Sequence, residues 1–125
     1  MREIIHTDKA PGAVGPYSQA IRTSGLVFTS GQIPLDPHTG KLVQGGIREQ
    51  TRQAMENLRA VLEAAGTDFS RVVKATIYLA DIQDFSSVNE VYGSFFTSDP
   101  PARSAFQVAA LPLGARVEIE MVSLA

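Results

Sequence analysis

The sequence contains no cysteine and no tryptophan, and it has only two histidines, His6 and His38. The lack of cysteine excludes disulfide bonds, thiolate nucleophiles and zinc–thiolate sites, and it is compatible with a cytoplasmic protein. One histidine lies near the N-terminus and the other in a turn, so neither is expected to complete a Ser-His-Asp triad. Both are expected at the surface.

The chain also lacks a long apolar run and an excess of positive charge. No stretch approaches the roughly 20 apolar residues of a membrane span, and the N-terminal segment MREIIHTDKAPG lacks the features of a signal peptide. Eleven Lys and Arg against thirteen Asp and Glu give a net charge of −2, without the basic footprint of a nucleic-acid binder. Phosphate loops, dinucleotide motifs and histidine-pair metal motifs are absent. We therefore expect a cytoplasmic protein without a cofactor, metal site, membrane partner or nucleic-acid partner.

What is present is the composition of one folded domain spanning residues 1–125. The chain is 44% hydrophobic and 19% charged, which is typical of a globular protein. Its length falls within the roughly 100–150 residues that single domains most often have. Such a chain buries enough apolar surface to fold without a metal or a disulfide.

Hydrophobic periodicity and turn residues predict two helices and several short strands. The helices are predicted at 47–65, ending at Gly66, and at 84–97, with Asp84 as N-cap. Strands are predicted at 2–7, on both sides of the turn Ser24-Gly25 within 19–31, and at 71–80, 102–110 and 116–124, with a loop at 8–19 and a bulged hairpin at 34–43. In strand 71–80, the odd positions 73 to 79 are uniformly apolar.

These elements predict an α+β fold in which two helices cover one face of a single sheet. The uncovered face is expected to be part apolar and part charged, because strand 116–124 alternates and strand 102–110 is apolar on both sides. A monomer would rarely leave so much apolar sheet in water. We therefore interpret this face as an oligomer interface with polar pockets.

The segment PPARSAFQ places one arginine, Arg103, in a strand that is predicted to be buried. Arginine stays charged, so its natural task is a bidentate grip on a carboxylate or phosphate. The residues alone favour an ion pair with Glu118 or Glu120. The alternative is a bound anion, for which the small neighbours Ala102, Ser104 and Ala105 would leave room.

Other candidates are weaker. Glu118 and Glu120 lie at i and i+2 on one face of their strand, where either a solvated polar face or a water-activating carboxylate fits. Phe85 and Asn89 lie one helical turn apart, either as a binding pair or as a helix edge. Two further features belong to the same set: Ser30-Gly31 ends an apolar strand, and Tyr17 lies on a loop rich in Gly and Pro.

Taken together, these segments resemble the reactive intermediate deaminase A family, also called RidA/YjgF or the enamine/imine deaminases. The resemblance covers the whole chain and is carried in order by GPYSQAI (15–21), FTSGQIPLDPHTGKLV (28–43), QTRQAMENLRAVLEAAG (50–66), VVKATIYLAD (72–81), FSSVNEVYGSFF (85–96) and PPARSAFQVAALPLGARVEIEM (100–121). It implies a chorismate-mutase-like α+β fold, one mixed β-sheet, and a homotrimer with its sheets facing inward and ligand sites between subunits.

The resemblance also implies an activity, the hydrolysis of 2-aminoacrylate and related enamine or imine acids to 2-oxo acids and ammonia. Arg103 would grip the substrate carboxylate, and Glu120 would orient the attacking water. The remaining pocket positions would be Tyr17, Ser30, Gly31, Phe85, Asn89 and the backbone of Ala105, where many relatives have cysteine. A 2-imino acid is already electrophilic at C2, so no cofactor is expected. The alternatives are a regulatory trimer that binds 2-oxo acids without turnover and, less favoured, a ribonuclease or translation inhibitor.

Overall fold

The computed structural model describes residues 1–125. Its regular elements are β1 (Glu3–Ile5), β2 (Ala20–Thr23), β3 (Leu26–Thr29), α1 (Ile47–Ala64), β4 (Val72–Leu79), α2 (Phe85–Gly93), β5 (Ala102–Gln107) and β6 (Val117–Leu124). Short 3-10 turns lie at Phe69–Arg71, Ile82–Asp84 and Pro112–Gly114. The predicted α+β class is confirmed. None of the helices has the length and hydropathy that crossing a bilayer would require.

All six strands form one sheet in the order β1-β2-β3-β6-β4-β5. Strands β4 and β5 pair in parallel, with α2 as the crossover between them, and every other pair is antiparallel. A parallel pair needs such a crossover because the chain must return to the same end of the sheet. The predicted single mixed sheet is confirmed.

The core lies between this sheet and the two helices, which pack on the same side. Helix α1 contributes Met55, Leu58 and Leu62, and the facing strands contribute side chains such as Ile77 and Ile119. All five are almost fully buried. At the start of α1, the Glu49 carboxylate accepts a hydrogen bond of 2.8 Å from the Gly46 N–H. At its end, Gly66 adopts a φ of 81°, a left-handed conformation that glycine allows at little cost.

The opposite side of the sheet, which we call the open face, carries no helix. Strand pairing aligns Ile4, Ile21, Phe28 and Val122 in one apolar row across four strands. A second row joins Phe106, Tyr78 and Glu118, and Glu120 lies on the same face. Ile4, Phe28 and Phe106 are exposed by 62%, 42% and 45%. The open face is therefore part apolar and part charged, as the alternation predicted.

Several predicted boundaries and orientations are wrong. A bulge between Val72 and Lys74 turns Val72 into the core and leaves Val73 42% exposed. The apolar alternation therefore fails at position 73, while the odd positions 75 to 79 are buried. The predicted hairpin at 34–43 does form, with an antiparallel bridge between Leu35 and Leu42, but it adds no strand to the sheet. Strand β5 ends at Gln107, and it is exposed or half-buried because it forms an edge of the sheet.

Helix α2 is also shorter than the predicted 84–97. It ends at Gly93, and Phe95 and Phe96 instead pack around Phe69, with ring centroids 5.7 and 5.6 Å away. Asp84 occupies the N-cap position without capping the helix. Its carboxylate accepts two hydrogen bonds of 3.0 Å from Arg116, so the tie between α2 and β6 replaces the expected cap.

Candidate functional site

Arg103 lies at the edge of the sheet, on the side that faces the helices. It pairs with Ala75, whose side chain is in the core, and its Nη1 donates a hydrogen bond of 2.8 Å to Asn89 Oδ1. The guanidinium carbon lies 5.4 Å from the ring centroid of Phe85 and 5.2 Å from that of Tyr92. We call Phe85, Asn89, Tyr92 and Arg103 the arginine half-site. The structure thus brings three predicted residues together and adds Tyr92, which lies one helical turn beyond Asn89.

The arginine half-site leaves most of the guanidinium available. Arg103 forms no ion pair, so the ion pair with Glu118 or Glu120 that the residues alone favoured is wrong. Guanidinium has five N–H donors, and one hydrogen bond within the chain uses a single donor. Two aromatic rings and an amide oxygen hold the group in place without neutralising it. The arrangement fits the bidentate binding of a carboxylate.

A cavity of about 540 Å³ opens on the other side of the sheet, beside the open face. Its walls come from the loop after β1, the segment after β3 and the connection from β5 to β6. The lining residues are Pro11, Gly12, Val14, Tyr17, Ser30, Gly31, Gln32, Ile33, Leu35, Pro112, Leu113 and Glu118. Three predicted residues, Tyr17, Ser30 and Gly31, therefore share one cavity with Glu118. We call these four the carboxylate half-site.

Gly31 is the point of closest approach in the carboxylate half-site. A Cβ atom added there would lie 2.0 Å from Glu118 Oε2 and 2.8 Å from its Cδ, so no side chain fits while Glu118 keeps its position. The Gly31 N–H has no hydrogen-bond partner within the chain. Glycine thus lets the carboxylate lie against the backbone and leaves one donor free beside it.

The structure places Glu118, rather than the predicted Glu120, against the cavity. Glu118 is opposite Tyr78 near the start of β6, next to the bridge between Gln32 and Ile119. Glu120 is one pair further along, opposite Thr76, where its carboxylate accepts a hydrogen bond of 2.9 Å from the Tyr78 hydroxyl. The i, i+2 spacing could not separate the two residues, because both side chains share the open face.

Burial raises the pKa of Glu118, and the neighbouring Glu120 carboxylate raises it further. Both effects raise the pKa because desolvation and a nearby negative charge disfavour the ionised form of the Glu118 carboxyl group. A carboxyl group with a raised pKa accepts a proton from water more readily than an ordinary glutamate does. The carboxylate that lines the cavity is therefore suited to accept a proton.

The two half-sites lie on opposite faces of the sheet. Arg103 is level with the core residue Ala75, whereas Glu118 points to the open face. Ala105 lies on the helix side with Arg103 and packs partly against the core. Both histidines are exposed and outside the cavity, as expected. Within one chain, the sheet itself separates Arg103 from Glu118.

Two buried amides that the sequence did not single out hold the cavity walls. The Gln19 side chain donates hydrogen bonds of 3.0 and 2.9 Å to the carbonyls of Thr7 and Pro11, and accepts one of 2.7 Å from the Thr7 N–H. The Asn57 side chain donates to the carbonyls of Leu35 and Ile33, at 3.0 and 3.3 Å. Buried amides with backbone partners fix loops that lack regular structure. A signal was available in the sequence, since Asn57 lies on the apolar face of α1.

The family model described as Endoribonuclease L-PSP matches residues 7–125. A 2-iminobutanoate/2-iminopropanoate deaminase of Homo sapiens is 54% identical over 99% of this chain and 90% of its own length. Reactive Intermediate Deaminase A, chloroplastic, of Arabidopsis thaliana is 52% identical over 98% of this chain and 65% of its own length. The chain belongs to the RidA family.

Solved structures match the fold over nearly the whole chain. RidA from the Antarctic bacterium Psychrobacter sp. superposes with a TM-score of 0.95 at 46% identity, covering 98% of this chain and 99% of that one. E. coli TdcF, solved with bound serine, superposes with a TM-score of 0.94 at 41% identity and covers 98% of both chains. The resemblance found in the sequence motifs is thereby confirmed.

Proposed function

We propose that this RidA-family chain hydrolyses reactive 2-enamine and 2-imino acids, such as 2-aminoacrylate, to 2-oxo acids and ammonia. The observation that carries the proposal is the Arg103 guanidinium, held by Asn89 and two aromatic rings and neutralised by no carboxylate. Relatives named 2-iminobutanoate/2-iminopropanoate deaminase, 52–55% identical over 99% of this chain, support the same chemistry.

We propose further that the active site forms between copies of the chain. Since the two half-sites lie on opposite faces, the arginine half-site of one copy must meet the carboxylate half-site of another. A contact between two different surfaces is heterologous, and it forms a closed ring when the rotation between copies closes, or an open filament when it does not. A homotrimer of the chorismate-mutase-like type, with the open faces turned inward, is such a ring. It would also cover the apolar row of the open face.

In this site Arg103 binds the substrate carboxylate through two parallel N–H donors, and Asn89 and Phe85 fix the plane of the guanidinium. Tyr17 and Ser30 line the other side. The free N–H of Gly31 and the backbone at Ala105 help to hold the substrate and the water. Binding at the carboxylate places C2 of the imine against that water, a proximity effect that contributes several kcal/mol.

Glu118 takes the role that the sequence motif assigned to Glu120. Its carboxylate accepts a proton as the water attacks C2, forming a tetrahedral carbinolamine. The proton then passes to the nitrogen. The hydroxyl proton follows by way of Glu118 as the C–N bond breaks, so that ammonia leaves and the carbonyl of the 2-oxo acid forms. An enamine enters the same path after protonation at C3. General base catalysis of this kind contributes about 10²–10⁴-fold.

The test is an assay in which a threonine or serine dehydratase generates the unstable substrate and the release of 2-oxo acid is followed. We expect Arg103→Ala to lower kcat/KM by about 10²–10⁴-fold, the equivalent of two charge-assisted hydrogen bonds. Arg103→Lys keeps the charge without the planar fork and should remain impaired. Full activity of Arg103→Ala would contradict the assigned role.

Two comparisons complete the test. Glu118→Gln should lose turnover while still binding a 2-oxo acid, and Glu120→Gln should retain turnover; the reverse result would restore Glu120 as the base. Light scattering should give an oligomer, and an active monomer would refute the shared site.

A binding function without turnover is the second candidate, and the bound serine in E. coli TdcF favours it, since that ligand is a small amino acid. Here the same two half-sites would sense a 2-oxo or amino acid. Calorimetry that shows tight 2-oxo acid binding, together with no acceleration of imine hydrolysis, would select this function over the deaminase.

A further inference from the structure

Two carboxylates lie near each other on the open face without a cation to neutralise them. Glu118 and Glu120 are two residues apart on β6, and their side chains share that face. Neither carboxylate forms an ion pair. Like charges repel, so a Glu120 carboxylate that nothing held would turn away from Glu118 and toward solvent. A contact of another kind must therefore keep Glu120 in place.

That contact comes from Tyr78. Tyr78 lies directly opposite Glu118 on β4, and its hydroxyl donates a hydrogen bond of 2.9 Å to Glu120 Oε1, one pair further along the strands. A hydrogen bond to an ionised acceptor is roughly twice as strong as one between neutral groups. Tyr78 is thus next to both carboxylates, opposite one of them and bonded to the other.

The Tyr78 ring is itself held in position. Phe106 lies opposite it on β5, and the two rings meet edge to face, with centroids 5.3 Å apart and an interplanar angle of 86°. Burial raises the pKa of Tyr78, and the hydrogen bond to Glu120 and the charges of Glu120 and Glu118 raise it further. The phenol therefore keeps its proton, and with it the donor to Glu120, at every pH at which Glu118 titrates.

We propose that Tyr78 is a positioning residue for imine hydrolysis, because its hydroxyl holds the Glu120 carboxylate beside Glu118. This inference rests on the proposed deaminase function and adds a residue that acts through another residue rather than by touching the substrate. Burial raises the pKa of Glu118, and the Glu120 charge that Tyr78 keeps in place raises it further. When ionised, Glu118 is then a stronger base toward the attacking water.

The other ionisable groups around Glu118 are few. Strand β4 carries Lys74, whose Nζ donates a hydrogen bond of 3.1 Å to Ser104 Oγ rather than to a carboxylate, and the loop after β1 supplies Tyr17. The segment after β3 and the open-face side of β5 bring no ionisable side chain. In the proposed ring, Arg103 of a neighbouring copy adds a positive charge. All of these groups stay in place when only Tyr78 is altered.

The expected signature of Tyr78→Phe is a pH–rate profile that crosses the wild-type profile. Without the hydrogen bond, the Glu120 carboxylate turns toward solvent and its charge acts on Glu118 more weakly. The pKa of Glu118 then falls, so more of it is ionised at acidic pH and the variant should be faster there than the wild type. On the plateau at higher pH the weaker base should be slower, by less than about tenfold. A purely structural role would lower the rate at every pH.

The experiment is the dehydratase-coupled assay across pH, with the dehydratase in excess, on the wild type, Tyr78→Phe, Glu120→Gln and the double variant. The acidic limb should move to lower pH in Tyr78→Phe, and further in Glu120→Gln, which removes the charge entirely. In the double variant the limb should match that of Glu120→Gln alone, because Tyr78 then has no charge to hold. Thr76→Val is the matched control and should leave the limb unchanged, since Thr76 lies opposite Glu120 but the hydroxyl bonded to Glu120 is that of Tyr78.

An acidic limb in Tyr78→Phe that coincides with that of the wild type would overturn the proposal and leave the deaminase standing. Shifts of Tyr78→Phe and Glu120→Gln that add in the double variant would overturn it too, because Tyr78 would then act independently of Glu120. If the wild-type protein accelerates no imine, the deaminase fails, and NMR titration of the Glu118 carboxyl then decides whether Tyr78 holds Glu120. With ¹³C-labelled glutamate, and Glu118→Gln for the assignment, a lower pKa of Glu118 in Tyr78→Phe than in the wild type would support this role; an equal pKa would overturn it.

Discussion

The substitution Gly31→Ala tests the site most directly, because it moves one carboxylate and leaves the fold intact. The backbone at Gly31 lies outside the left-handed region, so alanine is not strained there. The added Cβ would lie 2.0 Å from Glu118 Oε2, whereas ordinary contacts begin at 3.4 Å. The carboxylate must therefore retreat by more than about 1 Å, and a displacement of this size can cost about 10²-fold in rate.

We expect Gly31→Ala to lower kcat by about 10²-fold in the dehydratase-coupled assay, with a smaller change in KM because Arg103 is untouched. Gly93→Ala is the matched control: an added Cβ there meets nothing within 4 Å and should leave kcat unchanged. Full activity of Gly31→Ala, at an unchanged melting temperature, would refute the placement of Glu118 at the reacting water.

Three further predictions use the other features of the site. The rate should rise with pH through the raised pKa of Glu118, because only the ionised carboxylate accepts a proton. Glu120→Gln removes a neighbouring negative charge, so it should lower the pKa of Glu118 and move the acidic limb of the pH–rate profile to lower pH. An unchanged profile in Glu120→Gln would exclude coupling between the two carboxylates. Gln19→Ala should cost about 2–3 kcal/mol in the free energy of unfolding, measured with urea, because it leaves buried backbone groups without partners. A loss below about 1 kcal/mol would mean that water replaces the amide. Tyr92→Phe should leave the melting temperature unchanged or raise it, since the Tyr92 hydroxyl is buried without a hydrogen-bond partner and the ring facing Arg103 remains. A marked fall in the melting temperature would show that the hydroxyl forms a hydrogen bond after all.

Local patterns were sufficient for the main elements of the fold. The helical spacing of Met55, Leu58 and Leu62 placed α1 within a residue of its observed end, and the alternation in β6 predicted which side chains point to the open face. The failures have local causes that periodicity does not show. The bulge at Val73 depends on the pairing of β4 with β6. The early end of α2 depends on the packing of Phe95 and Phe96 against Phe69, which lies far from them in the sequence.

The site was predictable as a set of residues but not as an arrangement. The motifs named Arg103, Asn89 and Phe85, and the structure brings them together. The choice between Glu118 and Glu120 needed the loops that close over only one of them. That Arg103 lies on the other face of the sheet from the two glutamates could be known only from the register of three strands. Alternation along one strand does not say which face the side chains of a neighbouring strand occupy.

The opposite placement of Arg103 and Glu118 has a genetic consequence for the proposed ring of copies. In a ring of copies, a chain that lacks a working Arg103 still offers an intact carboxylate half-site to its neighbour. A chain that lacks Glu118 still offers an intact arginine half-site. Two inactive versions of the protein, assembled together, would therefore regain some complete sites. Loss-of-function substitutions would fall into two complementing classes, divided according to the face of the sheet on which each residue lies.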